Sequence, residues 1–192
     1  MSAVRSYHGV SIALHWLIAL VIFGLITMGA FMTRLGNDEL ALKFELYQWH
    51  KSFGITILLL TLLRLFWRLT HRRPQALEKG WRGKASQATH FLLYGLSSAV
   101  PIAGWAMVSA SPWNIPTVLF DLVSWPHIPL LTDIEDKAGM EARLKLVHSW
   151  LAYGTATLVT LHILAALQHQ FWFNHAIFER MWFSSKDTAS DQ

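Results

Sequence analysis

Four apolar stretches, each long enough to cross a bilayer, alternate with polar segments along the chain. The first covers residues 10–32 (VSIALHWLIALVIFGLITMGAFM) and the second 46–69 (LYQWHKSFGITILLLTLLRLFWRL). The third, 85–109, is rich in small residues (Gly95, Ser97, Ser98, Ala99, Gly104), with a kink expected at Pro101. The fourth, 143–172, is uncharged from Leu146 onward. About 20 apolar residues span a hydrocarbon layer of ~30 Å at ~1.5 Å per residue. The pattern therefore predicts an all-α fold, an integral membrane four-helix bundle forming a single domain over 1–192. The first stretch is too long for the apolar core of a signal peptide and is read as a span.

The polar pieces set the orientation. Residues 70–84 carry Arg72, Arg73, Lys79, Arg82 and Lys84 against one acid, which predicts the cytoplasmic side. Four spans then put both termini in the cytoplasm, in keeping with Arg5, Arg180 and Lys186. The long segment 111–141, with its prolines and tryptophans, reads as an outer cap at the membrane interface. Residues 173–192 read as a cytoplasmic tail.

Composition agrees and narrows the chemistry. Of 192 residues, 53% are hydrophobic and 15% charged, against about 25% charged in soluble domains. The net charge of +4 follows from loop topology, and no basic run interleaved with aromatics points to nucleic acid. There is no cysteine, which excludes disulfides, cysteine zinc sites, iron–sulfur clusters and covalent haem attachment. A haem would have to be held by axial ligands and packing.

The ten histidines carry the information. On the fourth stretch, His148 and His162 are 14 residues apart, nearly four whole turns, so they share one helix face ~21 Å apart in depth. Ionisable groups at membrane depth are expensive and usually functional. Topology pairs them with the other helices: His50 opens the second span on the outer side with His148, and His15 opens the first on the inner side with His162. Gly54, one turn past His50, leaves room for a flat ligand. Two imidazoles per site, without carboxylates, suit haem better than zinc or copper, which want further side chains. The reading is two bis-histidine b haems. Arg64 repeats the 14-residue spacing from His50, and Arg68 follows one turn later; both are placed to neutralise haem propionates. His90 and His169, at the inner boundary, are candidates to move protons at a quinone pocket. Trp16, Trp49 and Trp150 neighbour proposed ligands and read as interface tryptophans.

Together IALHWL, YQWHKSFG, the 148/162 pair, LLRLFWRL and HILAALQHQFWF resemble the prokaryotic cytochrome b561 family, over about residues 7–183. The resemblance implies two haem b groups in the bacterial inner membrane, passing electrons between the periplasmic side and ubiquinone. The chain is also similar to the family's superoxide-oxidising member, in which superoxide becomes dioxygen at the outer face and the electrons reduce quinone. His90 and His169 match that member's histidines near the quinone. The expected function is thus a superoxide:quinone oxidoreductase, with Lys51, beside His50, steering the anion. The alternative is an electron-transfer subunit that docks a periplasmic redox protein on the cap.

Overall fold

The structure is a computed structural model that describes residues 7–71, 80–173 and 177–182. Arg5, Arg72, Arg73, Lys79 and Lys186, used above for orientation, lie outside the described residues. Four long helices form the bundle: α1 (Gly9–Met32), α2 (Leu40–Thr70), α3 (Gly80–Ser109) and α5 (Lys137–Phe171). All four are long and apolar enough to cross a membrane. The protein is an all-α integral membrane bundle.

α2, α3 and α5 begin several residues before the apolar stretches do. The apolar core of each span sets the hydropathy, but good helix formers such as Ala41, Leu42, Lys43, Glu141 and Ala142 carry the helix on into the polar region. The start of α5 is set by Asp136, whose carboxylate accepts from the Gly139 N–H at 2.9 Å. α3 runs on through Pro101, which is buried.

Packing proceeds around an open arc. α1 lies on α2, α2 on α3, and α3 on α5 along the most extensive helix interface. Among the described residues, α5 makes no comparably extended contact with α1 or α2. It is the least buried of the four, with Thr155 its one buried residue. Where the helices do touch, small and hydroxyl residues meet: Ser52, Thr61, Ser97, Ser109 and Thr155 are buried, as suits close approach in a bilayer. Ser52, Ser109 and Thr155 each donate to the carbonyl four residues back. Leu20, Phe23, Leu69, Phe91, Trp150 and Tyr153 face outward, as a lipid-exposed belt requires.

At one end of the bundle lies the cap. It contains a hairpin of β1 (Thr117–Leu119) and β2 (Val123–Trp125), followed by the short helix α4 (Pro129–Thr132). Ser52 accepts from the Phe120 N–H at 3.0 Å, and Gln48 and Lys51 both donate to the Pro116 carbonyl at 3.2 Å. On α3, Trp105 donates to the Pro126 carbonyl and Ser109 accepts from the Ile128 N–H. The cap is thereby fastened to both helices. At the opposite end the start of α1 meets the segment that follows α5. Tyr7 N–H donates to the Arg180 carbonyl at 3.1 Å, and the Trp16 indole to that of Met181 at 2.8 Å. The segment carrying α6 (Ile177–Arg180), within the stretch read as a cytoplasmic tail, is folded against the start of α1. The two ends of the bundle are called here the cap end and the terminal end.

Candidate cofactor sites

α5 presents His148 near the cap end and His162 near the terminal end on one face. α2 brings His50 opposite His148, and α1 brings His15 opposite His162. The ring centroids of His50 and His148 stand 6.4 Å apart at 78°, and those of His15 and His162 6.4 Å apart at 79°. Both pairs bridge the side of the arc where α5 lacks extended packing on α1 and α2. With metal–imidazole bonds of about 2.0 Å and roughly 1.2 Å from ring centre to nitrogen, two rings bound on opposite sides of one ion stand ~6.4 Å apart. Both pairs match that distance.

The surroundings fit a flat, apolar group. A Cβ on Gly104 would meet the His148 ring at 3.1 Å, and one on Gly29 the His50 ring at 3.4 Å. At Gly104 the absence of a Cβ lets the imidazole seat against the neighbouring helix, whereas a Cβ at Gly29 would make an ordinary contact. A Cβ on Gly54 would meet nothing within 4 Å, so the turn below His50 is open, as its spacing predicts. The His148 Nδ1–H donates to the Val100 carbonyl at 3.0 Å, which leaves Nε2 with its lone pair for a metal. Among the described residues no cluster of three or more His, Asp or Glu is arranged for a metal ion, and each pair offers two imidazoles. Haem, which brings four equatorial nitrogens, completes such a set.

Arg64 lies near His15 and His162, and Arg68 follows one turn further along α2. Their guanidinium carbons lie 5.5 and 5.1 Å from the centroid of the Tyr94 ring, and Arg68 reaches the Tyr94 hydroxyl at 3.5 Å. Neither is within ion-pair distance of a carboxylate among the described residues; the one ion pair there, Arg143 with Asp136, is exposed at the cap end. Tyr94 escaped the sequence reading because nothing in the spacing of α3 shows that it stacks on two arginines of α2.

His90 and His169, paired above as quinone residues, are placed differently. His90 lies 5.7 Å from the His162 ring, while His169 packs on Phe173 at 5.3 Å, next to Arg82. Lys51 is half-buried and holds the hairpin through the Pro116 carbonyl. Of the neighbouring tryptophans, Trp16 is bonded to Met181, Trp49 packs on Phe53 and Phe120, and Trp150 points outward.

The family model described as prokaryotic cytochrome b561 matches residues 6–184. Cytochrome b561 homolog 2 of Escherichia coli (strain K12) is 29% identical over 168 residues, covering 86% of this chain and 85% of that protein. Membership implies haem b as the cofactor and electron transfer in a membrane as the kind of activity. Two histidine pairs on a four-helix membrane scaffold and a match along nearly the whole chain place this protein in the prokaryotic cytochrome b561 family.

Proposed function

We propose that this chain is a di-haem cytochrome that carries electrons across the bacterial inner membrane, from superoxide at the cap end to ubiquinone at the terminal end. The observation that carries this reading is the equality of the two ring separations, 6.4 Å, at two depths along one face of α5. Fourteen residues separate those depths by ~21 Å. Haem bound in each pair supplies a one-electron centre at each depth.

The chain's own residues do the rest. His50 with His148, and His15 with His162, hold the two irons. Arg64 and Arg68, without carboxylate partners among the described residues, offset the propionates of the terminal-end group. Buried apolar groups, Ile12, Ile55, Ile57 and Leu58, keep water from the interior. The sequence between α2 and α3, with five Lys/Arg against one acid over residues 70–84, supports the assignment of the terminal end to the cytoplasm. His90 and His169 serve the quinone there and pass it protons. The balance is two superoxide ions oxidised to two dioxygen molecules while one quinone takes two electrons and two protons to become quinol. Lys51 remains a basic group beside His50, with Glu45 six residues earlier on α2 reducing its pull on an anion.

Purified protein given pulses of superoxide and a soluble quinone tests this directly. Quinol formation dependent on both pairs is the expected result. No quinol, with haem present and reducible, leads to the second reading, an electron-transfer subunit. One observation favours it: Trp113, Leu122 and Leu130 are 79%, 84% and 82% exposed on the cap, an apolar surface suited to a periplasmic redox protein. Substituting these three with serine would then abolish reduction by the partner and leave chemical reduction intact.

A further inference from the structure

α5 carries one histidine of each pair, yet among the four long helices it packs extensively only on α3. At the cap end α3 itself supports the ligand: His148 donates to the Val100 carbonyl at 3.0 Å and lies against Gly104. At the terminal end the pair joins α5 to α1, which lack extended packing on each other among the described residues. A ligating imidazole is almost always oriented by a hydrogen bond from its second ring nitrogen. The Nδ1 of His15 is buried and makes none. Packing is left to orient that ring.

The packing comes from the segment that follows α5. The Phe178 N–H donates to the Gln170 side-chain oxygen at 3.2 Å, which ties α6 back to the last turn of α5. From there the chain reaches α1. The Arg180 carbonyl accepts from the Tyr7 N–H at 3.1 Å, and the Arg180 guanidinium lies 5.9 Å from the centroid of the Tyr7 ring. The Met181 carbonyl accepts from the Trp16 indole at 2.8 Å. The Trp182 ring stands edge-on to Trp16, 6.1 Å between centroids at 78°. Trp16 in turn lies 5.4 Å from the His15 ring at 61°. A continuous line of contacts thus runs from Gln170 on α5, through residues 178–182, to Trp16 and the His15 ring. The indole is a rigid plate with one polar handle. Held at its N–H by Met181 and at its ring by Trp182, it presents a fixed edge to His15.

We propose that residues 177–182 form a strap that closes the bundle between α5 and α1, and that Trp16 is a positioning residue through which the strap orients His15 for the terminal-end haem. This rests on the reading of His15 and His162 as a haem pair. The two ends of the bundle then differ in how a ligand is supported. The cap-end ligand His148 leans on the main chain of a spanning helix, and the terminal-end ligand His15 leans on a short segment outside the four spans.

The test uses the full chain loaded with haem and compares it with two variants. Trp16→Phe keeps an aromatic ring and loses the indole N–H. Trp182→Ala removes a ring that is 63% exposed. The ferric electron paramagnetic resonance signal of a bis-histidine haem follows the angle between its imidazole planes, which is 79° for His15 and His162. The component lost in His162→Ala identifies the terminal-end haem. The expected result is a displaced signal for that component in both variants and an unmoved signal for the cap-end haem. Terminal-end haem should also pass to a scavenging apoprotein about two- to tenfold faster, the range one hydrogen bond supports. An unmoved terminal-end signal in Trp16→Phe overturns the inference even where haem is lost faster, because Trp16 would then add stability without orienting His15. An unmoved signal in Trp182→Ala overturns it too, because the strap would not reach His15. Equal displacement of both haems does the same. If Trp16→Phe retains no terminal-end haem, Trp182→Ala decides by the same signal. A single haem in the unsubstituted chain would remove the paired-haem reading itself, an outcome distinct from any displacement.

Discussion

The His148 ring lies so close to Gly104 that a Cβ there would stand 3.1 Å from its Cε1 and 3.2 Å from its Nδ1. Glycine at this point of α3 lets α5 bring His148 close enough to reach the Val100 carbonyl. Gly104→Ala forces the ring back by a few tenths of an ångström, and Gly104→Val by more. The expected result is partial loss of one haem in the alanine variant and near-complete loss in the valine variant, read as haem per chain. Gly29→Ala, whose new methyl would sit 3.4 Å from His50 in ordinary contact, and Gly154→Ala, which meets nothing within 4 Å, should retain both haems.

Tyr94 stacks on two arginines that lack carboxylate partners among the described residues. Each cation–π contact contributes about 0.5–2 kcal/mol, more when desolvated. Tyr94→Phe keeps both faces and loses only the long contact from Arg68 to the hydroxyl, so haem content and thermal stability should stay near the original. Tyr94→Leu removes both contacts and frees the guanidiniums. A lower melting temperature and weaker retention of the terminal-end haem on detergent dilution are expected. Equal behaviour of the two variants would show that the ring faces do not matter.

Ser52 is 1% exposed and anchors the hairpin by accepting from the Phe120 N–H. Leaving that donor without a partner costs about 1–3 kcal/mol. Ser52→Ala should therefore speed hydrogen exchange at the hairpin by about tenfold or more, with the helices unaffected. The turn itself is strained: Phe120 and Asp121 have φ of 51° and 58°, a conformation that favours glycine. Asp121→Gly should slow exchange at the same amides.

Much of this architecture is legible in the sequence, because a helix turns a number into a direction. The 14-residue spacing on α5 identifies a stripe, and alternation of spans tells which histidine of another helix reaches the same depth. What the spacing does not contain is lateral adjacency. That His90 faces His162 depends on how α3 is rotated against α5, and the stacking of Tyr94 on Arg64 and Arg68 depends on the side chains of two helices at once. The hairpin was hidden for a different reason. Its strands are three residues each, its turn uses Phe-Asp in place of the usual glycine, and its partners are side chains of α2. Lys51 looked like a free cation because its acceptor, the Pro116 carbonyl, is 65 residues away in sequence.

The central claim is that four histidines, taken two at a time across helices, hold two haems. It is tested most directly by counting haem per chain, with reduced spectra, in the unsubstituted protein and in His15→Ala, His50→Ala, His148→Ala and His162→Ala. The account predicts about two haems in the first and about one in each variant. It also predicts that His15→Ala and His162→Ala lose one spectral component, and His50→Ala and His148→Ala the other. A single haem in the unsubstituted protein, or a His15→Ala variant that loses the same component as His50→Ala, would contradict it.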